Sequence, residues 1–255
     1  MKRVLAIIPS RYASSRFPGK PLALVKGVPM VVRVYRRAKE IFEDVCVATD
    51  DKRIFDTVVQ SGGEAVMTSS EHKSGTDRCL EALQKYSADK QKNFDVVINV
   101  QGDEPFIATS QLKELEQCFE EDNVEIATLV KRAKSVEDVL DYNRPKVVLD
   151  NNGNALYFSR SVIPHDRDSF KKNNSLTQSD IENNAYYLHI GLYGYTAESL
   201  TKICSLPLGN LEKIESLEQL RWLENGLKIK VAVTESENSY GIDTPEDLER
   251  VNAMI

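Results

Sequence analysis

Short apolar runs alternate with amphipathic stretches through the first half of the chain. The apolar runs predict strands: VLAII (4–8), DVCVAT (44–49), EAVMT (64–68) and FDVVINV (94–100). The stretches with helical periodicity predict helices: 29–42, 51–63, 75–86 and 109–121. Ser74 or Thr76 stands near the N-cap of the third predicted helix. This alternation predicts an α/β fold whose mostly parallel sheet is covered by helices.

The pattern becomes richer in β signals after residue 124. Strands are expected at 125–133, 146–160, 186–196 and 228–234, with a hairpin turn at NNGN inside the second. The polar segment 165–185 is expected to be an exposed, mobile loop. Helices are expected at 212–226, ending at Gly226, and at 244–255, with Pro245 in its first turn. We therefore expect one α/β domain over 1–255 with a β-rich excursion at about 125–200.

Composition narrows the class of protein without identifying it. The 255 residues carry a net charge of -6, with 41% hydrophobic and 28% charged residues, so a general nucleic-acid binder is not expected. No apolar stretch approaches the ~20 residues of a membrane helix, and the N-terminal apolar run is too short for a signal peptide. The four cysteines form no CxxC pair and the three histidines are far apart, which favours reduced cysteines and disfavours zinc.

The loops that follow the predicted strands are where chemistry is expected, because ligands bind beyond the carboxyl ends of parallel strands. These loops are 9–20, 50–52, 68–75 and 101–106. The first of them contains RYASSRFPGK, in which Arg11, Arg16 and Lys20 are separated by small residues. Small residues let backbone groups approach an anion, so a triphosphate would suit this loop, although it lacks the P-loop spacing. The alternative is a solvated cationic turn.

Two carboxylates follow predicted strands and are candidates for Mg²⁺. Asp103 lies in NVQGDEP, directly after an apolar strand, and Asp243 lies in YGIDTPEDL between a strand and a helix. Mg²⁺ prefers one or two carboxylates together with phosphate oxygens, so the pair could share the ion with a triphosphate. The alternatives are a plain polar turn for Asp103 and a helix N-cap for Asp243.

Two further sets of polar residues could bind ligand groups. Ser74, Gly75 and Arg78 open a predicted helix and could read a base edge, or could only form and cap that helix. Cationic and polar residues that could clamp a carboxylated, hydroxyl-rich ligand are Arg160, His165, Arg167, His189, Tyr193, Glu218 and Gln219. Each of these taken singly is also common as a surface or core residue.

The chain resembles the 3-deoxy-manno-octulosonate (Kdo) cytidylyltransferases, also called CMP-Kdo synthetases, across residues 4 to 252. The stretches that carry the resemblance occur in the family's order: IIPSRYASSRFPGKPL, VATDD, HKSGTDR, NVQGDEP, ALYFSRSVIP, HIGLYGY, LEQLRWLENG and GIDTPEDLERV. The resemblance implies a Rossmann-like nucleotidyltransferase fold with an inserted, β-rich dimerisation subdomain. It also implies a cytoplasmic, Mg²⁺-dependent homodimer that converts CTP and Kdo into CMP-Kdo and pyrophosphate for lipopolysaccharide biosynthesis.

The resemblance also implies roles for individual residues. The CTP-binding set is Pro9, Ser10, Arg11, Lys20, Ser74, Gly75 and Arg78. The magnesium ligands are Asp103 and Asp243, which with Arg11 and Lys20 form the catalytic set. The sugar-acid set is Gln101, Arg160, Arg167, His189, Tyr193, Glu218 and Gln219. Arg16 receives no role.

The chain departs from the family pattern at two positions. Many members have alanine in place of Ser10, and members commonly have an aromatic residue in place of His165, which affects either sugar selectivity or local packing. An 8-amino-3,8-dideoxy-Kdo cytidylyltransferase is therefore the nearest alternative. A CMP-sialic acid synthetase and a catalytically inactive nucleotide-binding protein are the more distant ones.

Overall fold

The computed structural model describes residues 2–13, 17–236, 241–242 and 244–254. Its strands, in chain order, are β1 (Val4–Pro9), β2 (Leu24–Val25), β3 (Val28–Pro29), β4 (Asp44–Thr49), β5 (Ala65–Met67), β6 (Val96–Asn99), β7 (Ile126–Arg132), β8 (Lys146–Leu149), β9 (Ala155–Ser159), β10 (Tyr187–Thr196) and β11 (Lys230–Val233). Its α-helices are α1 (Met30–Lys39), α2 (Lys52–Gln60), α3 (Gly75–Lys90), α4 (Thr109–Gln117), α5 (Val136–Leu140), α6 (Arg167–Asn173), α7 (Gln178–Asn183), α8 (Ala197–Cys204), α9 (Asn210–Glu215), α10 (Gln219–Glu224) and α11 (Pro245–Met254). Short 3-10 helices cover Lys20–Leu22 and Cys118–Glu120.

The chain divides into two compact units, which are described separately. The first unit consists of residues 1–116, 192–204 and 236–255, and the second of residues 117–191 and 205–235. The excursion expected at about 125–200 overlaps the second unit. Among the residues that the structure describes, no helix is long and apolar enough to cross a membrane.

The first unit is built on a sheet with the strand order β10-β6-β1-β4-β5. β1 pairs in parallel with both β4 and β6, β4 pairs in parallel with β5, and only the C-terminal half of β10 runs antiparallel to β6. β1 and β4 are apolar over most of their length and almost wholly buried, as expected for parallel strands covered on both faces. The predicted α/β architecture with a mostly parallel sheet is confirmed.

Side-chain caps start two helices of this unit directly after strands. Asp51 caps α2 by accepting a hydrogen bond from the Arg53 amide, and Ser74 caps α3 by accepting one from the Asp77 amide. The N-cap predicted near Ser74 or Thr76 is therefore Ser74, while Thr76 is buried in the first turn. Each cap satisfies an amide that the helix itself leaves without a partner.

The second unit combines a parallel strand pair with a hairpin. β7 and β11 pair in parallel, and β8 pairs antiparallel with β9 and with the first residues of β10. The predicted NNGN turn is confirmed: the Asp150 carboxylate accepts bonds from the amides of Asn152 and Asn154, and Gly153 adopts a φ of 74°. Glycine tolerates this left-handed conformation without strain.

The predicted loop over 165–185 is wrong, because the segment contains α6 and α7. Asp166 caps α6, and Thr177 with Asp180 forms a capping box at the start of α7. Phe170 and Ile181 pack with Tyr186 in an apolar cluster of the same unit. The segment was predicted as a loop because most of its residues are polar. Its few apolar side chains are buried, and this burial stabilises the short helices.

The single helix predicted over 212–226 is also wrong, because it is divided into α9 and α10. Ser216 lies between them in the left-handed region, with a φ of 53°, and ends the first helix there. The stop at Gly226 is confirmed by its φ of 76°.

Candidate active site

The carboxyl ends of β1, β4 and β6 meet at one edge of the first unit. In the observed register Pro9 lies opposite Ala48, and Ile7 lies opposite Asn99. β10 runs the other way, so its Tyr193 lies opposite Asn99 and enters the sheet at the same edge. A ligand crevice is expected at this edge because all three loops after these parallel strands open there.

Two glycines allow the loops at this edge to approach each other closely. A Cβ at Gly102 would lie 2.8 Å from the Ser10 Oγ and 3.1 Å from the Pro9 carbonyl oxygen. A Cβ at Gly75 would lie 3.3 Å from the Pro9 Cγ. The predicted loops around residues 74–75 and 101–103 therefore each approach Pro9 and Ser10 closely, and glycine leaves the space that this requires.

An ion pair joins the cationic loop to the acidic turn. The Lys20 Nζ lies 2.7 Å from the Asp103 Oδ2, and 14% of the Lys20 side chain and 33% of the Asp103 side chain are exposed. Lys20 begins a 3-10 helix whose N-cap, Gly19, has a φ of 75°. The two charges predicted from separate motifs thus lie side by side at the sheet edge.

The chain segment before Asp243 is bonded to Asp103. The Ile242 amide donates to the Asp103 carbonyl oxygen at 3.0 Å, and the Ile242 side chain is buried with Val25 and Met30. Asp243 itself lies outside the described residues. The next helix, α11, is capped by Thr244, whose hydroxyl accepts from the Asp247 amide at 3.2 Å. The capping role considered for Asp243 is therefore filled by its neighbour.

The amide of Ser10 is committed to the sheet, but its hydroxyl has no hydrogen-bond partner among the described residues. The amide donates to the Ala48 carbonyl oxygen at 2.8 Å. The side chain is only 4% exposed, and its Oγ is buried without a hydrogen-bond partner in the part of the chain that the structure describes. The Ser10 amide is therefore not available to a ligand. Arg11 lies exposed beyond it.

Arg78 is buried and held by groups from two neighbouring loops. Its Nη1 donates to the Thr68 Oγ1 at 2.6 Å, and its Nη2 lies 3.2 Å from the Asp50 Oδ2. This arrangement fixes the guanidinium beside the loops after β4 and β5. Asp50 was not singled out from the sequence, although its place directly after a buried strand is the same signal that marked Asp103.

In the second unit, the Arg160 guanidinium is bonded to backbone carbonyl groups. It donates to the carbonyl oxygens of Glu215 at 2.7 Å, Tyr142 at 3.2 Å and Ser216 at 3.3 Å. The carbonyl oxygen of Arg160 in turn accepts from the Nζ of Lys146 at 2.6 Å. These bonds fix Arg160 as a rigid positive group.

Lys146 is a fully buried cation that sequence reasoning missed. Its Nζ also donates to the Asp141 carbonyl oxygen at 2.8 Å, and burial lowers the pKa of its ammonium group. The only sequence signal is a lysine at the start of the otherwise apolar strand KVVL.

His189 is enclosed by an aromatic ring and a hydroxyl. Its ring stands edge-on to Phe158, with 5.1 Å between the centroids, and its Nε2 lies 3.1 Å from the Thr128 Oγ1. Burial lowers the pKa of His189 to about 3, so the ring is neutral at physiological pH.

The remaining predicted residues of the second unit lie in or directly before α6 and α10. Glu218 accepts a bond from the Arg221 Nη2 at 2.8 Å. Gln219 is 4% exposed, and its Nε2 has no hydrogen-bond partner among the described residues. Arg167 is exposed at the start of α6. His165 stacks on Phe170 with 4.5 Å between the ring centroids, which is a local packing contact.

The structure thus brings the loop and turn residues of the first unit together, and holds the others within their own unit. Pro9, Ser10, Lys20, Gly75 and Asp103 share the edge of the first unit, with Tyr193 on the strand beside them. Gln101 is partly buried on the same turn as Asp103.

This α/β fold with a cationic loop and an acidic turn at one sheet edge is found among nucleotidyltransferases, and a family model described as cytidylyltransferase matches residues 5–229. A 3-deoxy-manno-octulosonate cytidylyltransferase of Parabacteroides distasonis is 51% identical, over 100% of this chain and 99% of the relative. One from Bacteroides thetaiotaomicron is 52% identical, over 99% and 98%. The chain belongs to the 3-deoxy-manno-octulosonate cytidylyltransferase family.

Solved structures agree with this assignment. A CMP:2-keto-3-deoxy-manno-octonic acid synthetase complexed with CTP matches with a TM-score of 0.88 and 38% identity, over 99% of this chain and 98% of that one. A 4-diphosphocytidyl-2C-methyl-D-erythritol synthase from Anaerococcus prevotii matches with a TM-score of 0.62 and 13% identity, over 99% and 96%. The second likeness shows the fold alone.

The unpartnered Ser10 hydroxyl predicts that its removal stabilises the ligand-free protein. Ser10→Ala should raise the free energy of unfolding by about 0.5–1 kcal/mol, because a desolvated hydroxyl is lost and no hydrogen bond is broken. Ser159→Ala is the matched control: its hydroxyl donates to the Glu215 Oε1 at 2.6 Å, so that variant should lose stability. Urea denaturation compares the two, and destabilisation by Ser10→Ala would contradict the observed geometry.

The lowered pKa of His189 predicts a loss of stability in acid. Between the unfolded pKa of 6.5 and the folded pKa of about 3, only the unfolded chain binds this proton, so stability falls as pH falls. His189→Gln lacks this titration. The difference in unfolding free energy between wild type and His189→Gln should therefore shrink by about 1–2 kcal/mol from about pH 7.5 to about pH 5. Parallel pH profiles in urea denaturation would contradict the assignment.

Proposed function

We propose that the chain transfers the cytidylyl group of CTP to Kdo, giving CMP-Kdo and pyrophosphate for lipopolysaccharide biosynthesis. The observation that carries this proposal is the identity of about half of all residues over the full length of relatives that bear the Kdo cytidylyltransferase name. The neighbour complexed with CTP supports the choice of nucleotide.

The cationic loop is suited to the triphosphate of CTP. Lys20 is held at the sheet edge beside Asp103, and Arg11 is exposed on the same loop. The reaction joins anionic partners and places further charge on the leaving pyrophosphate. Cations fixed in advance therefore lower the barrier without reorganising during the reaction. We assign Lys20 and Arg11 to this role.

The segment that opens α3 is suited to the nucleotide base. Gly75 presents bare backbone against Pro9, and Ser74 is fixed as the helix cap. Arg78 is held rigidly by Asp50 and Thr68, so its position is set before any ligand arrives. These three residues of the CTP set, Ser74, Gly75 and Arg78, are proposed to recognise cytosine.

The sugar-acid set combines groups with different properties. Arg160 and Arg167 supply positive charge for the carboxylate of Kdo. His189 is neutral at physiological pH and therefore serves as a hydrogen-bonding group rather than a cation. The buried Gln219 Nε2 has no hydrogen-bond partner within the described ranges of the chain and can donate to a ligand oxygen. The other proposed members of this set are Gln101, Tyr193 and Glu218.

Asp103 and Asp243 are proposed to hold Mg²⁺. The Asp103 carboxylate is partly exposed and bonded to Lys20, and its backbone is fixed by Ile242, so it fits a hard cation at the sheet edge. No cluster of three or more potential metal ligands occurs among the described residues. Mg²⁺ does not need one, because it binds through one or two carboxylates with phosphate oxygens and water. When bound, Mg²⁺ supplies Lewis-acid neutralisation of phosphate charge.

The residues then act by positioning and by charge. The anomeric 2-hydroxyl of Kdo loses its proton to solvent and its oxygen attacks the α-phosphorus of CTP in line. The bond between the α-phosphorus and the pyrophosphate oxygen breaks, and pyrophosphate leaves. Lys20 and Arg11 neutralise charge on the triphosphate. Asp103 and Asp243 would hold Mg²⁺. No side chain forms a covalent intermediate, so none of the cysteines or serines is needed as a nucleophile.

We also infer that the enzyme is a cytoplasmic homodimer. The second unit exposes several large apolar side chains that a partner subunit would cover: Leu140, Tyr142, Leu156, Leu208 and Ile214.

The test of the function is pyrophosphate release from CTP with Mg²⁺ and a panel of sugar acids. Kdo should give the highest kcat/KM. Because relatives of about 50% identity bear the Kdo cytidylyltransferase name, 8-amino-3,8-dideoxy-Kdo and sialic acid should be poorer substrates. Preference for the amino sugar would reassign the substrate, and no release with any acid would favour an inactive nucleotide-binding protein.

Variants at the sheet edge should separate the metal role from the triphosphate role. Asp103→Asn and Asp243→Asn should each lower kcat ~10²-fold or more while CTP binding is partly retained. Lys20→Ala should raise the KM for CTP more than the KM for Kdo. Asp56→Asn is the matched control, since this carboxylate pairs with Lys52 on the surface of α2. Turnover of either aspartate variant at the wild-type rate would contradict the shared-metal assignment.

A further inference from the structure

Gly19, the residue before Lys20, lies against the ring of Tyr12. The Gly19 amide donates to the Tyr12 carbonyl oxygen at 2.9 Å. A Cβ at Gly19 would lie 3.1 Å from the Tyr12 Cζ, so the glycine backbone rests directly on the aromatic ring. Lys20 is the next residue, and its position therefore depends on where Tyr12 is held.

Tyr12 is held by an arginine from α2. The Arg53 guanidinium carbon lies 3.4 Å from the centroid of the Tyr12 ring. This is the close, stacked geometry in which a guanidinium attracts the face of an aromatic ring. Its neighbour Lys52 instead forms an ordinary surface pair with Asp56, one turn further along the helix.

Arg53 is itself fixed to the sheet through Asp51. The Arg53 Nη2 lies 2.6 Å from the Asp51 Oδ2, and the Nε lies 3.0 Å from the Oδ1, so the pair is bidentate. The Asp51 amide donates to the Oγ1 of Thr49, which is fully buried at the end of β4. Hydrogen bonding to Arg53 lowers the pKa of Asp51, which keeps the carboxylate charged.

We propose that Tyr12, Arg53 and Asp51 form a clamp that holds Gly19 and Lys20 in the geometry required by the triphosphate of CTP. This inference rests on the proposed function of the loop. Tyr12 and Arg53 are positioning residues, because they act through Lys20. A loop held in advance does not lose its freedom when the nucleotide binds, so the clamp increases affinity for CTP. The clamp leaves the groups that bind the sugar acid unchanged.

Kinetics of clamp variants test the proposal. Arg53→Gln and Tyr12→Ala should each raise the KM for CTP about three-fold to ten-fold, with kcat and the KM for Kdo changed less than about two-fold. Tyr12→Phe keeps the aromatic ring, so its KM for CTP should stay close to the wild-type value. Lys52→Ala is the matched control, because it removes a positive charge from the same turn of α2 without touching Tyr12. An equal increase of the KM for CTP in Lys52→Ala would overturn the proposal, because it would show that the positive charge of α2 affects CTP binding without the Tyr12 contact. An unchanged KM for CTP in both clamp variants would also overturn it.

Amide exchange provides a readout that does not depend on catalysis. Exchange in a peptide covering residues 9–24 should rise about three-fold or more in Arg53→Gln, because the Tyr12 ring on which Gly19 rests is no longer held, and should stay unchanged in Lys52→Ala. If the wild-type enzyme releases no pyrophosphate with any sugar acid, the proposed function fails, while faster exchange still supports the clamp. Wild-type exchange in Arg53→Gln overturns the clamp whether or not the enzyme is active.

Discussion

Parallel pairing of β1 with β4 and β6 is the constraint on which the candidate site depends. Parallel strands end on the same side of a sheet, so their following loops must converge. Here the convergence is so close that Gly75 and Gly102 have no space for a side chain without displacing Pro9 or Ser10. The groups proposed to be catalytic, Lys20 and Asp103, are carried by short segments that follow this sheet, which limits their motion.

In the ligand-free protein, Lys20 and Asp103 at this edge are paired with each other. Separated charges at a partly buried edge would each lose hydration without compensation. The 2.7 Å contact holds the two side chains in place at the sheet edge. In the proposed reaction the triphosphate replaces the carboxylate as the partner of Lys20, which leaves Asp103 for the proposed metal ion.

Periodicity was sufficient to predict the parallel sheet, and strand-end signals marked Lys20 and Asp103, which the structure brings together. The N-cap of α3 stayed open between Ser74 and Thr76 until the structure showed Ser74. These sequence signals failed where tertiary contacts decide the outcome. The helices in 165–185 depend on burial of Phe170 and Ile181, and the break at Ser216 depends on backbone conformation rather than on composition. The residues that contact Arg78 and Lys146 are not their neighbours in sequence. No local sequence pattern could therefore identify these contacts.

Asp51 makes two kinds of contact: it caps the N-terminus of α2, and it forms an ion pair with Arg53. A change at this aspartate would disturb the helix and the loop together, whereas a change at Arg53 reaches the loop alone. The rigidity of the nucleotide loop can therefore be adjusted by one exposed side chain without disturbing the scaffold. Single substitutions at Arg53 could therefore change the affinity for the nucleotide during evolution. The sheet and its helices would not have to change with them.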